Sequence, residues 1–175
     1  MAIATLSNII AAIGVGARPN LFRVSFAGGI DAGAASDVSF LVKSAALPAS
    51  TVGLIEVPHV SGRRLKIPGD RTFADWTATV LSDSSLDARQ LFEDYQEKFV
   101  SSDHNNSGIV GDRTTARTTI TVEQLAADVS GTTIRTYSLK NAFVTDISAM
   151  DLSYDTTDAI EEFQVTFAYD YFTVA

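Results

Sequence analysis

The stretch EEFQVTFAYDYFTV, residues 161–174, alternates apolar and polar side chains more strictly than any other part of the chain. Phe163, Val165, Phe167, Tyr169 and Tyr171 fall on one side, with Gln164, Thr166, Ala168 and Asp170 on the other. Successive side chains of an extended strand point to opposite faces, so this period of two describes a strand with one packed and one polar face. The signature recurs along the chain. Trp76, Ala78 and Val80 share one face, with Asp75, Thr77 and Thr79 opposite. Further strand-like runs cover about 116–127 and about 132–147. Phe22, Val24 and Phe26 alternate, as do Val38, Phe40 and Val42, which predicts a hairpin over about 20–43 with a loose tip at 31–35. Val52–Val57 and Arg63–Ile67 form two more runs, joined by PHVSG, whose Gly62 suits a hairpin turn.

One segment changes period. In DSSLDARQLFEDYQEKF, Ala88, Leu91, Phe92, Tyr95 and Phe99 recur at helical spacing. Asp83 to Ser85 supply capping side chains, and Asp87 lies at the positive end of the helix dipole. A helix is therefore expected over about 84–99. The sum is an all-β chain, a two-sheet β-sandwich or barrel with one α-helix packed against it. At 175 residues it fits a single domain, 1–175, long enough to bury a substantial core.

Bulk chemistry removes several function classes. Hydrophobic residues at 46% against 19% charged describe a folded chain and not a disordered one. The formal net charge of −8 argues against a nucleic-acid grip, because such affinity comes largely from neutralising phosphates with a basic stripe. There are no cysteines, so disulfides, thiolate metal sites and cysteine nucleophiles are excluded. The start, MAIATLSNIIAAIGVGARPN, is too short and interrupted for a membrane span and has no basic residue ahead of its apolar stretch. It reads as a short helical or irregular arm over 1–17.

The residues that could carry chemistry have plainer readings. His59 and His104 are the only histidines, and each lies in an expected loop or turn without a serine–carboxylate pattern beside it. DHNNSG, from Asp103 to Gly108, imitates the first half of a calcium loop, but Thr114 stands where the bidentate glutamate belongs. Gly14 and Gly16 make a G-x-G with no strand ahead of it. Glu93, Asp94 and Glu97 describe the solvated face of the helix, and Glu161 and Glu162 a strand start. No catalytic, cofactor-binding or metal-ligating residue is assigned. The polar segment 100–115 is longer than a compact fold carries without a use.

RRLKIPGDRTFADWTATVLSD, from Arg63 to Asp83, is the unusual passage. A basic run is expected to break at a Pro68–Gly69 turn, followed by the acid–base pair Asp70–Arg71 and a second strand opening on Phe73 and Trp76. With ARPNLFRVSF and ALPASTVGLIEVP before it, LDARQLFEDYQ directly after it and EEFQVTFAYDYF at the end, the chain resembles the tail tube proteins of contractile-tailed bacteriophages. The resemblance spans about 17–172.

That resemblance implies a structural protein of the virion and no enzyme. Its subunits would form hexameric rings stacked into a hollow tube, with inner strands joined across neighbours into one barrel. A sheath protein would enclose the tube and drive it through the host envelope. A baseplate tube initiator, a tail terminator and a tape measure protein in the lumen are the further partners implied. DNA would pass through without specific binding, and no small-molecule substrate or cofactor is implied. Six copies at −8 give −48 per ring, so an acidic lining would keep DNA off the wall over roughly 8 Å. The hairpin 53–67 becomes the expected assembly element, with Val57, Pro58, His59, Arg63, Arg64, Lys66, Asp70 and Arg71 at a subunit or ring interface. Asp70 and Arg71 could pair locally or across that boundary. Alternatives are a type VI or extracellular injection-system tube protein, a tube-initiating baseplate protein, and, from another class, a carbohydrate-binding β-sandwich of a phage fibre.

Overall fold

The computed structural model describes residues 6–14, 16–28, 30, 38–60, 62–100, 117–127 and 131–175. Its elements are α1 (Leu6–Ile13), β1 (Phe22–Gly28), β2 (Val42–Ala45), β3 (Ser50–Pro58), β4 (Arg64–Phe73), β5 (Trp76–Leu81), α2 (Asp87–Phe99), β6 (Thr118–Leu125), β7 (Thr133–Ile147), β8 (Glu162–Ala168) and β9 (Tyr171–Val174). Seven strands follow one path, β1-β6-β7-β8-β5-β2 with β9 also on β7, while β3 and β4 form a separate two-stranded ribbon. All the pairings are antiparallel.

The path is folded into two sheets by β7. Its first half pairs with β6 on one side and β9 on the other; its second half pairs with β8. The corner lies at Asn141, whose φ of 59° is left-handed, a region that asparagine tolerates better than most residues. Asn141 Nδ2 donates to Asp170 Oδ2 at 2.8 Å, and Arg117 Nη1 donates to the same oxygen at 2.9 Å. The Asp170 amide donates to the Lys140 carbonyl at 3.1 Å. Two strands thus turn together, clamped by one carboxylate.

This corner explains how the cleanest alternation in the chain divides. Residues 162–174 run along one side of β7 as two strands, interrupted at Tyr169–Asp170. Phe163, Val165, Phe167 and Tyr169 are buried as expected, but Tyr171 is exposed and Phe172 turns inward. The interruption shifts the alternation by one residue, as an irregularity in a strand must.

The expected hairpin over 20–43 does not form. β1 pairs with β6, residues 38–41 are helical, and β2 pairs with β5. Phe40 is exposed, although Val24, Phe26 and Val38 are buried. The alternation in Phe22–Phe26 was real, but a period of two says nothing about which strand is the neighbour.

Helix α2 begins three residues later than expected, after a turn at 84–85. Leu86 occupies the cap position with a φ of 61° and offers no side-chain bond, so the cap comes from further back. Asp83 Oδ1 accepts from the Ala88 amide at 3.2 Å, and Asp83 Oδ2 accepts from the Ser85 hydroxyl at 2.9 Å. These bonds, the Ser85 hydroxyl first, hold the Asp83 carboxyl below its ordinary value. The buried stripe is Ala88, Phe92 and Tyr95, with Leu91 and Phe99 half-buried beside it. Phe92 is the plug between the sheets: its ring lies 5.9 Å from Phe26 of one sheet, and 6.2 and 6.0 Å from Phe163 and Phe167 of the other. Tyr95 donates its hydroxyl to the Ala142 carbonyl at 3.2 Å, and burial pushes its phenol well above the usual range.

Candidate functional site

The β3–β4 ribbon stands apart from this core, and its side chains are almost all exposed. Its register pairs Leu54 with Pro68, Ile55 with Ile67, Glu56 with Lys66, Val57 with Leu65 and Pro58 with Arg64. Directly paired residues share a face in an antiparallel ladder. Ile55, Ile67, Val57 and Leu65 therefore form one apolar face, while Glu56, Lys66 and Arg64 lie on the other. Arg64 Nη1 donates to Glu56 Oε2 at 2.7 Å across the charged face. Among the described residues nothing covers the apolar face: Ile55 is 53% and Leu65 61% exposed. The turn closes through the His59 amide on the Arg63 carbonyl at 3.1 Å and the Gly62 amide on the His59 carbonyl at 3.0 Å. Gly62 has a φ of 79°, which favours glycine.

The strands are longer than the sequence suggests, and Pro68–Gly69 is not a turn. β4 runs from Arg64 to Phe73 as one strand. The register shifts between Val52, which opposes Arg71, and Leu54, which opposes Pro68. Two steps on β3 therefore match three on β4, which makes the passage a β-bulge. Glycines permit it. A Cβ on Gly53 would meet the Asp70 carbonyl oxygen at 3.3 Å, and one on Gly69 would meet the Gly53 backbone at 3.3 Å. The proline that looked like a strand's end loses nothing here, since a bulge leaves backbone groups out of the ladder. The extra residue re-phases β4, so Phe73 lands inward against Tyr169 and Phe172, at 5.9 and 5.5 Å.

The ribbon's root is fastened to the sandwich. Trp76 Nε1 donates to the Ala46 carbonyl at 2.6 Å, and the Tyr169 hydroxyl donates to the Ala49 carbonyl at 3.4 Å. Burial, with the Asp75 carboxylate adding to it, raises the Tyr169 phenol. The ribbon is thus free at the tip and fixed at the root, with its apolar face exposed.

The eight residues expected at an interface all lie on this ribbon, but not together. Val57, Pro58, His59, Arg63, Arg64 and Lys66 cluster at the tip, whereas Asp70 lies in the bulge and Arg71 just past it. Seven strand steps put Arg71 about 23 Å from Arg64. Among the described residues, neither Asp70 nor Arg71 makes an ion pair, so the local pairing does not occur. The exposed apolar stripe of α1, Leu6, Ile10 and Ile13, was not singled out beforehand, although its i, i+4, i+7 spacing was legible. Segment 101–116, which holds His104, Asp103, Gly108 and Thr114, lies outside the described residues. No cluster of three potential metal ligands occurs among the described residues.

Comparison with known proteins identifies the family. A family model described as phage tail tube protein matches residues 17–175. The chain belongs to the phage tail tube protein family. Tail tube protein gp19 of Enterobacteria phage T4 is 35% identical over 157 residues, covering 89% of this chain and 90% of that protein. Tail tube protein gp19 of Enterobacteria phage T6 matches over the same length at the same identity. As a phage tail tube protein, the chain is a virion component. In fold it is similar to a chain of the anti-feeding prophage tube terminating cap, with a TM-score of 0.66 at 18% identity over 91% of this chain and 90% of that one. It is also similar to a chain of the PVC sheath–tube complex of an extracellular contractile injection system in its extended state. There the TM-score is 0.63 at 16% identity, over 98% and 97% of the two chains.

For a tail tube subunit the bulge becomes testable. Arg71→Ala should leave the melting of the dilute monomer within about 0.5 kcal/mol of wild type, because the side chain is exposed and unpaired there. If this corner is buried at a subunit boundary, polymerisation should be blocked or weakened, since stranding the Asp70 charge there costs about 3–5 kcal/mol per subunit. Lys66→Ala should be mild. Paired thermal melts and sedimentation separate folding from assembly, and full-length tubes from Arg71→Ala would leave the bulge as a feature of one subunit only.

Proposed function

We propose that this chain is a non-catalytic structural subunit, one tail-tube domain over 1–175, that forms hexameric rings stacked into the tail tube of a contractile-tailed phage. The tube is a conduit for the genome, enclosed by a sheath whose contraction drives it through the host envelope. Assembly takes place in the host bacterial cytoplasm. Its partners are further copies of itself, the sheath protein, a baseplate tube initiator, a tail terminator and a tape measure protein in the lumen. DNA passes without specific binding, which an acidic chain favours.

The observation that carries this reading is the uncovered apolar face of Ile55, Val57, Leu65 and Ile67. A soluble monomer rarely leaves such a face open, and a polymer buries it in every copy. Open sheet edges support the same conclusion. Among the described residues, β1, β2 and β9 each have a partner on one side only, and closing strands into a ring removes such edges.

The phage reading is favoured over an injection-system tube by 35% identity to a phage tail tube protein against 16–18% to the injection-system chains. A carbohydrate-binding module would present its aromatics as a strip. Here the exposed aromatics Phe40, Tyr154 and Tyr171 lie on three separate segments.

Negative-stain microscopy of the purified protein, alone and with a tail initiation complex, tests the proposal. Hexameric rings and tubes of uniform diameter are expected. A strictly monomeric species at high concentration, with no polymer under nucleation, would overturn it.

A further inference from the structure

The connection between β7 and β8 is a second uncovered apolar surface, on the opposite side of the charge balance. Leu152, Tyr154 and Ile160 are exposed along residues 151–161, and Leu152, Ser153, Tyr154 and Glu161 line an open groove of about 300 Å³. Leu152 and Tyr154 are not held against the core, so they bring no stability to the subunit that displays them. Around them stand Asp151, Asp155, Asp158 and Glu161, with no basic residue in the segment. Among the described residues, none of these four carboxylates makes an ion pair, whereas the next one, Glu162, is taken by Lys43.

The ribbon carries the complement. Between Ser50 and Phe73 it has the cations Arg63, Arg64, Lys66 and Arg71 against two carboxylates, Glu56 and Asp70. Only Arg64 among those four pairs within the described residues. The ribbon is thus apolar and net basic in a chain whose overall charge is −8, and the groove is apolar and purely acidic. At 103% and 105% exposure, Val60 at the ribbon's tip and Tyr154 in the groove stand clear of their own subunit. Each surface has what the other lacks.

We propose that the tip of the β3–β4 ribbon of one copy docks in the 151–161 groove of another copy of this chain. Val60 and the Ile55–Leu65 face meet Leu152, Tyr154 and Ile160, while Arg63 and its neighbours meet the surrounding carboxylates. The contact is heterologous: the ribbon of one subunit fills the groove of the next and leaves its own groove for a third. Contacts of that kind either close into rings or propagate along a polymer. Charge complementarity around an apolar centre also gives such a joint its orientation. The inference rests on the tail-tube reading and names the surface that receives the ribbon.

The absence of cysteine makes the test direct, because any disulfide formed must come from introduced residues. Val60→Cys, Tyr154→Cys and the double variant are polymerised, oxidised with copper phenanthroline and run on non-reducing gels, with microscopy of the same samples. A disulfide needs Cα atoms within about 7 Å, so cross-linking reports close approach. The single variants should stay monomeric on the gel, their equimolar mixture should give dimers, and the double variant should give a ladder. Tubes that show neither the mixed dimer nor the ladder would overturn the docking and leave the tube reading intact. A fast-migrating intrachain band, or dimers from either single variant, would overturn it equally. No tubes from wild type would remove the tail-tube reading itself. Should either substitution hinder polymerisation, His59→Cys with Ser153→Cys asks the same question one residue away, and tubes of that pair with no cross-link also overturn the docking.

Discussion

Phe92→Ala is expected to lower the stability of the dilute subunit by about 3–5 kcal/mol, the usual cost of removing a fully buried phenylalanine. Phe92 is completely buried and touches rings from both sheets, so the cavity opens where α2 holds the sandwich together. Loss of three edge-on ring contacts adds to the cost, and neighbouring aromatics cannot collapse far without breaking their own strands. With stabilities of about 5–15 kcal/mol typical of domains, this is a large fraction of the total. At about 2–4 °C per kcal/mol, the melting temperature should fall by roughly 6–20 °C. Glu93→Ala, one position away on the exposed face, removes only an i,i+4 pair with Arg89 and should be nearly neutral. Melting followed by circular dichroism checks both. A drop below 1 kcal/mol for Phe92→Ala would mean that the helix is not the plug.

The second large effect separates folding from assembly. Deleting residues 58–62 removes the tip and leaves Arg63–Arg64 as a two-residue link between Val57 and Leu65, which already pair. The described residues of the tip are exposed, so the melting temperature of the dilute monomer should stay near that of wild type. Tube elongation should be abolished, because every subunit loses the same contact at once. Microscopy and sedimentation at high protein concentration read the outcome. Tubes of normal length from the deletion would remove the ribbon from the assembly surface, whatever the fold of the rest.

How much of this was legible follows from what local periodicity can carry. β5, α2 and the inward face of β8 could be read from residues alone, because Trp76–Val80, Ala88–Tyr95 and Phe163–Phe167 face one core with an unbroken period. Strand partners are a different kind of information. β1 and the helical turn at 38–41 were misjoined because alternation describes a face and not a neighbour, and the true partner of β1 is β6. The bulge at Gly69 and the corner at Asn141 were hidden for a related reason. Each inserts a change of phase whose signal lies in the opposing strand, in Gly53 for the first and in Asp170 for the second. The eight residues expected at an interface all fall on one ribbon, since an apolar run flanked by cations was visible. The distance between its tip and Arg71 was not, because a proline–glycine pair spells a turn far more often than a bulge.

The long reach of the β1–β6 pairing has a consequence for the order in which the subunit is made. Arg23 and Glu123 bond across that pair at 2.6 Å though 100 positions apart, while Arg64 and Glu56 bond across the ribbon at a separation of 8. Hairpins close in about 1–10 μs, whereas pairings between distant segments dominate the slow phase of folding. On a ribosome the contrast sharpens, because the ribbon is complete some fifty residues before β6 has been synthesised. The ribbon, with its exposed apolar face, is therefore complete before the body that is to carry it. Nascent chains side by side on one message display the same apolar hairpin while still half made. Their shared sign works against pairing between them: each tip carries a surplus of arginine and lysine, and like charges repel along open strand edges. The cations that draw the ribbon to an acidic groove late in assembly protect it from its own kind early on.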